Sequence, residues 1–297
     1  MTIFYFMPHK KIGLALGAGG SKGLAHIGII EALEQNGINI DYIAGSSIGA
    51  MVGGFYAARK NIAEVKQLAL INNWPQILSI FFDPSWKNGL IGGNKLSQFL
   101  EKYLGDVNFD ELKIPLKVVS TNLTDAQAFV IDSGNVAQAI RTSVSLPILF
   151  KPVSYENKLL ADGGMSLPVP VEVVRKMGAD IVIAVNLYED YSGIKHDERF
   201  SLGTITNRTV DVLSHYLARE NVKSADIIIN PLVGKIGLFD NFMTKNATQH
   251  VIDIGVKAGM EAIPKIKSMI DKEENIINPF VKPFQNLWRN FKKIFSN

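Results

Sequence analysis

The feature that most constrains the fold is an alternation of short aliphatic runs with stretches of helical periodicity. Runs rich in aliphatic and β-branched residues predict strands, and the stretches between them predict helices. The predicted strands are Ile12–Leu16, Tyr42–Ala44, Leu116–Ser120, Lys158–Ala161 and Ile181–Val185, and the predicted helices include Ala25–Gln35 and Ile48–Arg59. Strands that alternate with helices form βαβ units, so we expect an α/β fold, a three-layer α/β/α sandwich around a mainly parallel central sheet.

The chain of 297 residues shows no internal repeat and no Pro/Ser-rich linker, which favours one folded domain over residues 1–277. Composition changes only in residues 278–297, a basic and aromatic amphipathic segment.

Composition also bears on the partners and the location of the protein. A net charge of +3 is too small to indicate a nucleic-acid partner. The absence of cysteine excludes disulfides, thiolate metal sites and cysteine nucleophiles. No apolar run is long enough to span a bilayer, so a cytoplasmic protein is expected. The sequence does not indicate an oligomeric state.

A Gly-x-Ser-x-Gly sequence, Gly45–Gly49, joins a predicted strand to a predicted helix. At such a sharp turn the serine is held in a strained conformation with its hydroxyl exposed, because the glycines leave room for the turn and for a substrate. The pattern predicts Ser47 as a nucleophile and the amide of Ile48, at the start of the helix, as a donor to an oxyanion. The alternative is a glycine-rich connection with a surface serine.

A second glycine-rich loop, Gly17–Gly23, also follows a strand and precedes a helix. Neither nucleotide-binding fingerprint fits it, because Lys22 stands where a dinucleotide motif needs glycine and is followed by glycine where a P-loop needs serine or threonine. Unhindered loop amides suit an oxyanion hole, although a tight turn alone is the alternative. Lys22 would add positive charge or anchor the loop. The predicted oxyanion hole comprises Gly19, Gly20, Ser21, Lys22 and Ile48.

Asp162 ends a predicted strand and is followed by Gly163 and Gly164, which let the backbone turn away from it. Because the carboxyl ends of parallel strands share one edge of a sheet, Asp162 and Ser47 are expected to meet there. Burial in an apolar cleft raises the pKa of a carboxylate, so Asp162 could accept the serine proton directly, without a histidine. The alternative is an Asp-Gly-Gly turn whose carboxylate caps local amides.

Together these segments resemble the patatin-like phospholipase family. The loop at Gly17–Gly23, the turn at Gly45–Gly49 and the segment Asp162–Gly164 occur in that family's order, and Ala139–Pro147 resembles the stretch that leads toward the family's aspartate. The resemblance covers roughly residues 11 to 190. It implies a catalytic Ser47 with Asp162 as its partner, and an oxyanion hole built from the glycine-rich loop.

A Ser-Asp-His triad is the competing interpretation of the same nucleophile. His196, His215 and His250 follow Asp162 in the order expected of an α/β-hydrolase, but none lies in a glycine-flanked context at a strand end. His26, which follows the glycine-rich loop, is predicted to be a structural histidine.

Two segments bear on the substrate. Residues 73–93 are rich in aromatic and aliphatic residues, which suits a lid or an acyl-chain groove as well as ordinary core packing. Near the end of the chain, aromatic residues recur at helical spacing among basic residues without an acid, which is typical of an interfacial helix; docking onto protein is the alternative. The predicted membrane-binding residues are Phe284, Leu287, Trp288, Arg289, Phe291, Lys292 and Lys293.

The sequence and the resemblance together predict a lipid acyl-ester hydrolase of phospholipase A, lysophospholipase or esterase type that acts through an acyl-enzyme. The expected substrate is a phospholipid or another lipid ester, with a membrane surface as partner and no metal ion or organic cofactor. The alternatives are an acyltransferase or thioesterase with the same dyad, and a non-catalytic lipid-binding module. The expected location is the cytoplasm, with peripheral association at a membrane.

Overall fold

The computed structural model describes residues 10–71, 93–147, 150–190, 202–237 and 244–294, with side chains except at 71, 202–204, 206–207 and 272–294. The strands are β1 Ile12–Leu16, β2 Tyr42–Ser46, β3 Leu116–Asn122, β4 Gln127–Ile131, β5 Val153–Tyr155, β6 Lys158–Asp162, β7 Ile181–Val185 and β8 Ile227–Ile229. The α-helices are α1 Leu24–Gln35, α2 Ile48–Arg59, α3 Ile62–Ile71, α4 Asn94–Leu104, α5 Val136–Ser143, α6 Val171–Lys176, α7 Leu202–Asn221 and α8 Lys245–Ile294.

The strands of the described residues form one sheet in the order β5-β6-β3-β2-β1-β7-β8, with β4 also paired to β3. Its centre is parallel, since β3, β2, β1, β7 and β8 run in one direction. Antiparallel pairing occurs on one side only, where β4 and β6 pair with β3 and β5 pairs with β6. The predicted α/β architecture with a mainly parallel central sheet is confirmed.

The central strands are buried on both faces, which is why their sequences are continuous aliphatic runs. In β1, Leu14 and Leu16 belong to the core cluster on the face that carries α1–α5 and α8. Ala15 lies between them in sequence and belongs to the cluster on the opposite face, with residues of α6 and α7. The alternation of strand side chains thus divides the core into two halves around the sheet, and the helices form the outer layers.

The strand that carries Asp162 runs in the direction opposite to the one expected. Tyr155 of β5 pairs with Lys158 of β6, and the two residues between them, Glu156 and Asn157, have φ angles of 46° and 61°. Two consecutive residues with positive φ form the tight turn of a β-hairpin, which reverses the chain. Because β5 runs in the direction of β3, β6 returns antiparallel to β3. The premise that Asp162 ends a strand of the parallel set was therefore wrong.

The last helix, α8, continues from Lys245 to Ile294, and its early residues Val251 and Ile252 are buried in the core cluster that also contains α1. The predicted boundary at residue 278 lies within this helix. The side chains from Phe284 to Lys293, the predicted membrane-binding residues, lie outside the described ones. In the part of the chain that the structure describes, no helix has both the length and the apolar run needed to cross a membrane.

Candidate active site

Ser47 occupies a strained turn between β2 and α2. Its φ of 55° and ψ of −123° are rare for a residue with a side chain. The flanking glycines are required by space: a Cβ at Gly45 would lie 2.5 Å from the amide nitrogen of Ala50, and a Cβ at Gly49 would lie 2.2 Å from the carbonyl oxygen of Leu16. The Ser47 amide is held by the hydroxyl of Ser143 at 2.8 Å. The Gly-x-Ser-x-Gly sequence thus gives a turn that presents the Ser47 hydroxyl.

Ser47 and Asp162 meet because two strands end head to head along β3. β4 pairs with β3 from Val118 to Asn122, so it occupies one edge of β3, and both β2 and β6 must use the other. β2 ends with Ser46 opposite Val119, and β6 arrives from the other direction and ends with Asp162 opposite Ser120. The two carboxyl ends therefore converge on consecutive residues of β3, and Ser47 Oγ donates a hydrogen bond of 2.7 Å to Asp162 Oδ2.

Asp162 is held in one orientation and is shielded from water. Its Oδ1 accepts a hydrogen bond of 2.8 Å from the amide of Gly164, and its carbonyl oxygen accepts one of 2.7 Å from the hydroxyl of Thr121. Only 4% of the residue is exposed. Burial raises the pKa of Asp162 from 3.8 to about 6, although the hydrogen bonds from Ser47 and Gly164 favour the ionised form. The carboxylate is therefore ionised at neutral pH but more basic than an exposed aspartate.

The predicted oxyanion residues fall into two groups. Gly19, Gly20 and Ile48 line the same pocket as Ser47, and among the described residues no acceptor is bonded to their amides. Ser21 and Lys22 have other contacts: the Ser21 hydroxyl donates to the carbonyl of Gly237, and the Lys22 amide donates to the carbonyl of Gly19. Of the five predicted residues, Gly19, Gly20 and Ile48 thus line the pocket together with Ser47, and Ser21 and Lys22 do not.

The side chain of Lys22 ties the glycine-rich loop to α7. Its Nζ lies 3.3 Å from Asp211 Oδ1, and the exposed fractions of the two side chains are 6% and 7%. The same Nζ lies 5.2 Å from the centre of the Tyr188 ring. Tyr188 lines the pocket, bonds to Ser214 of α7 through its hydroxyl, and has a pKa raised chiefly by burial. Of the two roles considered for Lys22, the contacts indicate the anchor.

Asp211, Tyr188 and Ser214 were not anticipated from the sequence. Asp211 is 189 positions from Lys22, and an aspartate on a helix ordinarily indicates a solvated face. A buried ion pair between distant residues leaves no periodic pattern, so no signal in a single sequence could have identified this support.

His26 supports the glycine-rich loop from below. Its Nε2–H donates a hydrogen bond of 2.7 Å to the carbonyl of Gly17, and its Nδ1 is buried without a hydrogen-bond partner among the described residues. Burial lowers the pKa of His26 to about 4, although the bond to Gly17 opposes that shift. His26 is therefore neutral at physiological pH and acts as a structural donor.

The other histidines are not placed to complete a triad in the described structure. His215 Nδ1 bonds to the carbonyl of Tyr188 at 2.6 Å, and His250 lies on the exposed side of α8. His196 lies outside the described residues. None of the described residues that line the pocket is a histidine, and the hydroxyl of Ser47 bonds to Asp162 directly.

The pocket above Ser47 has a volume of about 220 Å³ and largely apolar walls. α2 contributes Ile48 and Met51, and α7 contributes Val210, Leu213 and Leu217. A third wall comes from Val144, Leu146 and Phe150. A few polar groups, Ser47 and Asp162 among them, also line the pocket, as in sites that orient an apolar ligand. The predicted lid at 73–93 lies outside the described residues except for Gly93.

The comparisons with known proteins agree in indicating one family. The model of the patatin-like phospholipase family matches residues 14–175, more than half of the chain. An uncharacterized NTE family protein of Mycobacterium tuberculosis is 36% identical over 188 residues, which cover 63% of this chain and 52% of that protein. Lysophospholipase NTE1 of Debaryomyces hansenii is 34% identical over 187 residues, which cover 61% of this chain and 12% of that protein. The chain thus spans about half the length of the mycobacterial relative and less of the yeast one.

Solved structures share the fold at low sequence identity. VipD from Legionella pneumophila superposes with a TM-score of 0.58 over 87% of this chain and 67% of its own, at 16% identity. The order of the motifs, the convergence of Ser47 with Asp162 and the family match all lead to the same assignment. This chain belongs to the patatin-like phospholipase family.

Proposed function

We propose that this protein is a serine hydrolase that cleaves the acyl ester bond of a lipid, as a phospholipase A or a lysophospholipase does. The observation that carries the proposal is the hydrogen bond of 2.7 Å between Ser47 Oγ and Asp162 Oδ2, two residues that line an apolar pocket. The similarity to Lysophospholipase NTE1 supports a phospholipid or lysophospholipid as substrate.

In the proposed acylation step, Ser47 Oγ attacks the ester carbonyl carbon while its proton passes to Asp162 Oδ2. The oxyanion accepts hydrogen bonds from the amides of Gly19, Gly20 and Ile48, and the positive end of the α2 dipole adds to its stabilisation. When the tetrahedral intermediate collapses, Asp162 returns the proton to the leaving alcohol oxygen and the acyl group remains on Ser47.

In deacylation, a water molecule attacks the acyl-enzyme as Asp162 accepts its proton. The second tetrahedral intermediate uses the same amides, and Ser47 leaves with the proton from Asp162. A base with a pKa of about 6 suits both steps, because it is ionised at neutral pH and still basic enough to share a proton in the transition state.

Labelling with a fluorophosphonate tests the nucleophile. The wild type should be labelled stoichiometrically and Ser47→Ala not at all. Ser46→Ala is the matched control, because the Ser46 hydroxyl is buried and has no hydrogen-bond partner among the described residues.

The base is tested by turnover. Asp162→Asn should lower kcat on a lipid ester on the order of 10⁴-fold. Labelling of Ser47→Ala at the wild-type rate, or full turnover by Asp162→Asn, would contradict the dyad.

Product analysis separates hydrolysis from acyl transfer. With a phospholipid substrate and an added alcohol or thiol, a hydrolase should still release mainly free fatty acid. A transferase should divert most of the acyl group to the acceptor. The third possibility, an inert lipid-binding module, is excluded by the labelling experiment if Ser47 is labelled stoichiometrically.

We further propose that the protein works at a membrane surface. At the mouth of the pocket Met165, Leu213 and Leu217 are 42%, 60% and 36% exposed, which favours entry of a lipid from an apolar environment. The basic aromatic segment 278–297 would add affinity for anionic lipid. Removal of residues 278–297 should weaken binding to anionic liposomes and spare turnover of a soluble ester, whereas unchanged liposome binding would exclude this segment as the anchor.

A further inference from the structure

A second apolar cavity lies next to the pocket, between α2 and the helices around it. Its volume is about 30 Å³, and each described residue that lines it has an apolar side chain. These side chains include Leu24 and Ile27 from α1, Phe55 from α2, and Val65 and Ala69 from α3. The chemistry proposed above makes no use of this cavity.

Ile48 and Met51 line both the pocket and the second cavity, so their side chains form a partition between the two. Both residues are buried, with 7% and 6% exposed. Met51 lies one helical turn after Ser47, and a helical side chain leans over the turn that precedes it. Its side chain therefore lies against the turn that carries the nucleophile, where the acyl part of an ester would begin.

The two members of the partition differ in freedom of movement. Ile48 is β-branched, which restricts its first torsion, and it packs so tightly against the glycine-rich loop that a Cβ at Gly23 would lie 2.3 Å from Ile48 Cγ1. Met51 is unbranched and adapts its shape through several rotatable bonds. Met51 is therefore the member of the partition whose rotation would connect the pocket with the second cavity.

We infer that the second cavity is the far end of an acyl-chain site and that Met51 sets the length of chain that the site accepts. The inference rests on the proposed function and specifies its substrate as an ester of a fatty acid whose chain extends past Met51. A small cavity with apolar walls favours an apolar ligand over water. Each methylene group that the cavity removes from water favours the longer chain by up to about fourfold.

The first test is a profile of kcat/KM against acyl length for p-nitrophenyl esters from butanoate to palmitate. Each rate is divided by the butanoate rate of the same variant, which removes differences in folded fraction. Met51→Ala should move the maximum to longer chains, and Met51→Phe should move it to shorter ones. The control is Met177→Ala, because Met177 is a partly buried methionine that packs against the core cluster on the opposite face of the sheet, and its profile should match that of the wild type.

A second variant tests whether the gain depends on the cavity itself. Ala69 is buried in α3 and lines the cavity but not the pocket. In the Met51→Ala background, Ala69→Phe should fill the cavity and return the profile to that of the wild type. An unchanged profile in Met51→Ala, or a gain that survives Ala69→Phe, would overturn the inference.

Binding of saturated fatty acids to Ser47→Ala, measured by calorimetry with and without Met51→Ala, separates this inference from the proposed function. A shift toward longer fatty acids in Ser47→Ala, together with a wild type that hydrolyses no ester, would support the acyl site and overturn the hydrolase. Ester turnover that depends on Ser47, with chain-length profiles unaffected by Met51→Ala in both assays, would overturn the inference alone.

Discussion

The turn at Gly45–Gly49 and the loop at Gly17–Gly23 are both glycine-rich connections from a strand to a helix, yet they are held in place by different contacts. The turn is shaped mainly by steric contacts with its immediate surroundings, since Gly45 and Gly49 lie against backbone atoms that leave no room for a Cβ. The glycines of the loop are crowded as well, since a Cβ at Gly23 would lie 2.3 Å from Ile48 Cγ1. The loop is held in addition by side chains, through Ser21 to Gly237, Lys22 to Asp211 and His26 to Gly17. The turn thus depends mainly on close packing, together with a hydrogen bond from the Ser47 amide to the Ser143 hydroxyl, whereas the loop that carries most of the proposed oxyanion amides also depends on side-chain contacts with distant segments.

The largest effect is expected where the loop is anchored. Lys22→Met leaves Asp211 as a buried, unpaired charge and should lower the free energy of unfolding by about 3–5 kcal/mol, measured by urea denaturation. The double variant Lys22→Met/Asp211→Leu should recover most of that loss, because no uncompensated charge remains. Lys223→Met is the matched control, since its ion pair with Glu220 is 68% exposed on both sides and should cost at most about 1 kcal/mol. Equal losses for the two lysines would show that the loop needs no distant anchor.

Asp162 and His26 should affect the pH dependence of stability in opposite directions. Burial raises the pKa of Asp162 from 3.8 to about 6, so the free energy of unfolding should increase as the pH falls through that range. Burial lowers the pKa of His26 from 6.5 to about 4, so the free energy of unfolding should decrease as the pH falls from 6.5 to 4. Each shift corresponds to about 3 kcal/mol, and in the wild type the two act in opposite directions.

Single variants should separate the two contributions in urea unfolding curves between pH 4 and pH 7. His26→Gln retains a donor for Gly17 and should gain stability on acidification. Asp162→Asn should be more stable than the wild type at pH 7 and should lose stability toward pH 4. Wild-type kcat/KM should rise through about pH 6 as Asp162 ionises. Parallel stability curves for the three proteins would contradict both assignments.

The smallest effect is expected in the turn that carries the nucleophile. A Cβ at Gly49 would lie 2.2 Å from the carbonyl oxygen of Leu16, so Gly49→Ala should cost about 1–3 kcal/mol of stability and slow fluorophosphonate labelling by displacing Ser47. Gly37→Ala separates a clash from backbone strain, because Gly37 has a φ of 73° and no atom within 4 Å of the added Cβ. It should cost about 1 kcal/mol and leave labelling unchanged. Normal labelling of Gly49→Ala would mean that the turn tolerates displacement.

The sequence predicted those elements whose signals are local. β1, β7 and α2 have the bounds that their aliphatic runs and glycine turn indicated. β4 was not predicted because most of its residues are exposed or half-exposed and so form no aliphatic run. β8 was not predicted because three residues are too few to show a pattern. The direction of β6 depends on the turn at Glu156–Asn157, which contains no glycine and therefore lacks the usual sequence signal of a hairpin.

For the site, the glycine-flanked residues were predictable and their support was not. Ser47 and Asp162 were predicted and lie within hydrogen-bonding distance, although β6 is antiparallel to β3 and not parallel as expected. Their meeting depends on which edge of β3 is used by β2 and by β6. The sequence of a strand does not indicate which distant strand it pairs with. Asp211 was missed for the same reason, because the buried ion pair that it forms joins it to Lys22, 189 positions away in the chain.

The alignment of β2 and β6 on neighbouring positions of β3 makes the spacing of Ser47 and Asp162 independent of the length of chain that separates them. Insertions or deletions in the loops between β3 and β6 would leave that spacing intact as long as β4 stays paired with β3, Ser143 stays against Ser47 and Asp162 stays opposite Ser120. A slip of β6 by a single residue, by contrast, would turn the carboxylate to the other face of the sheet. Homologous proteins are therefore free to vary the lengths of these loops, but not to shift the pairing of β6 with β3.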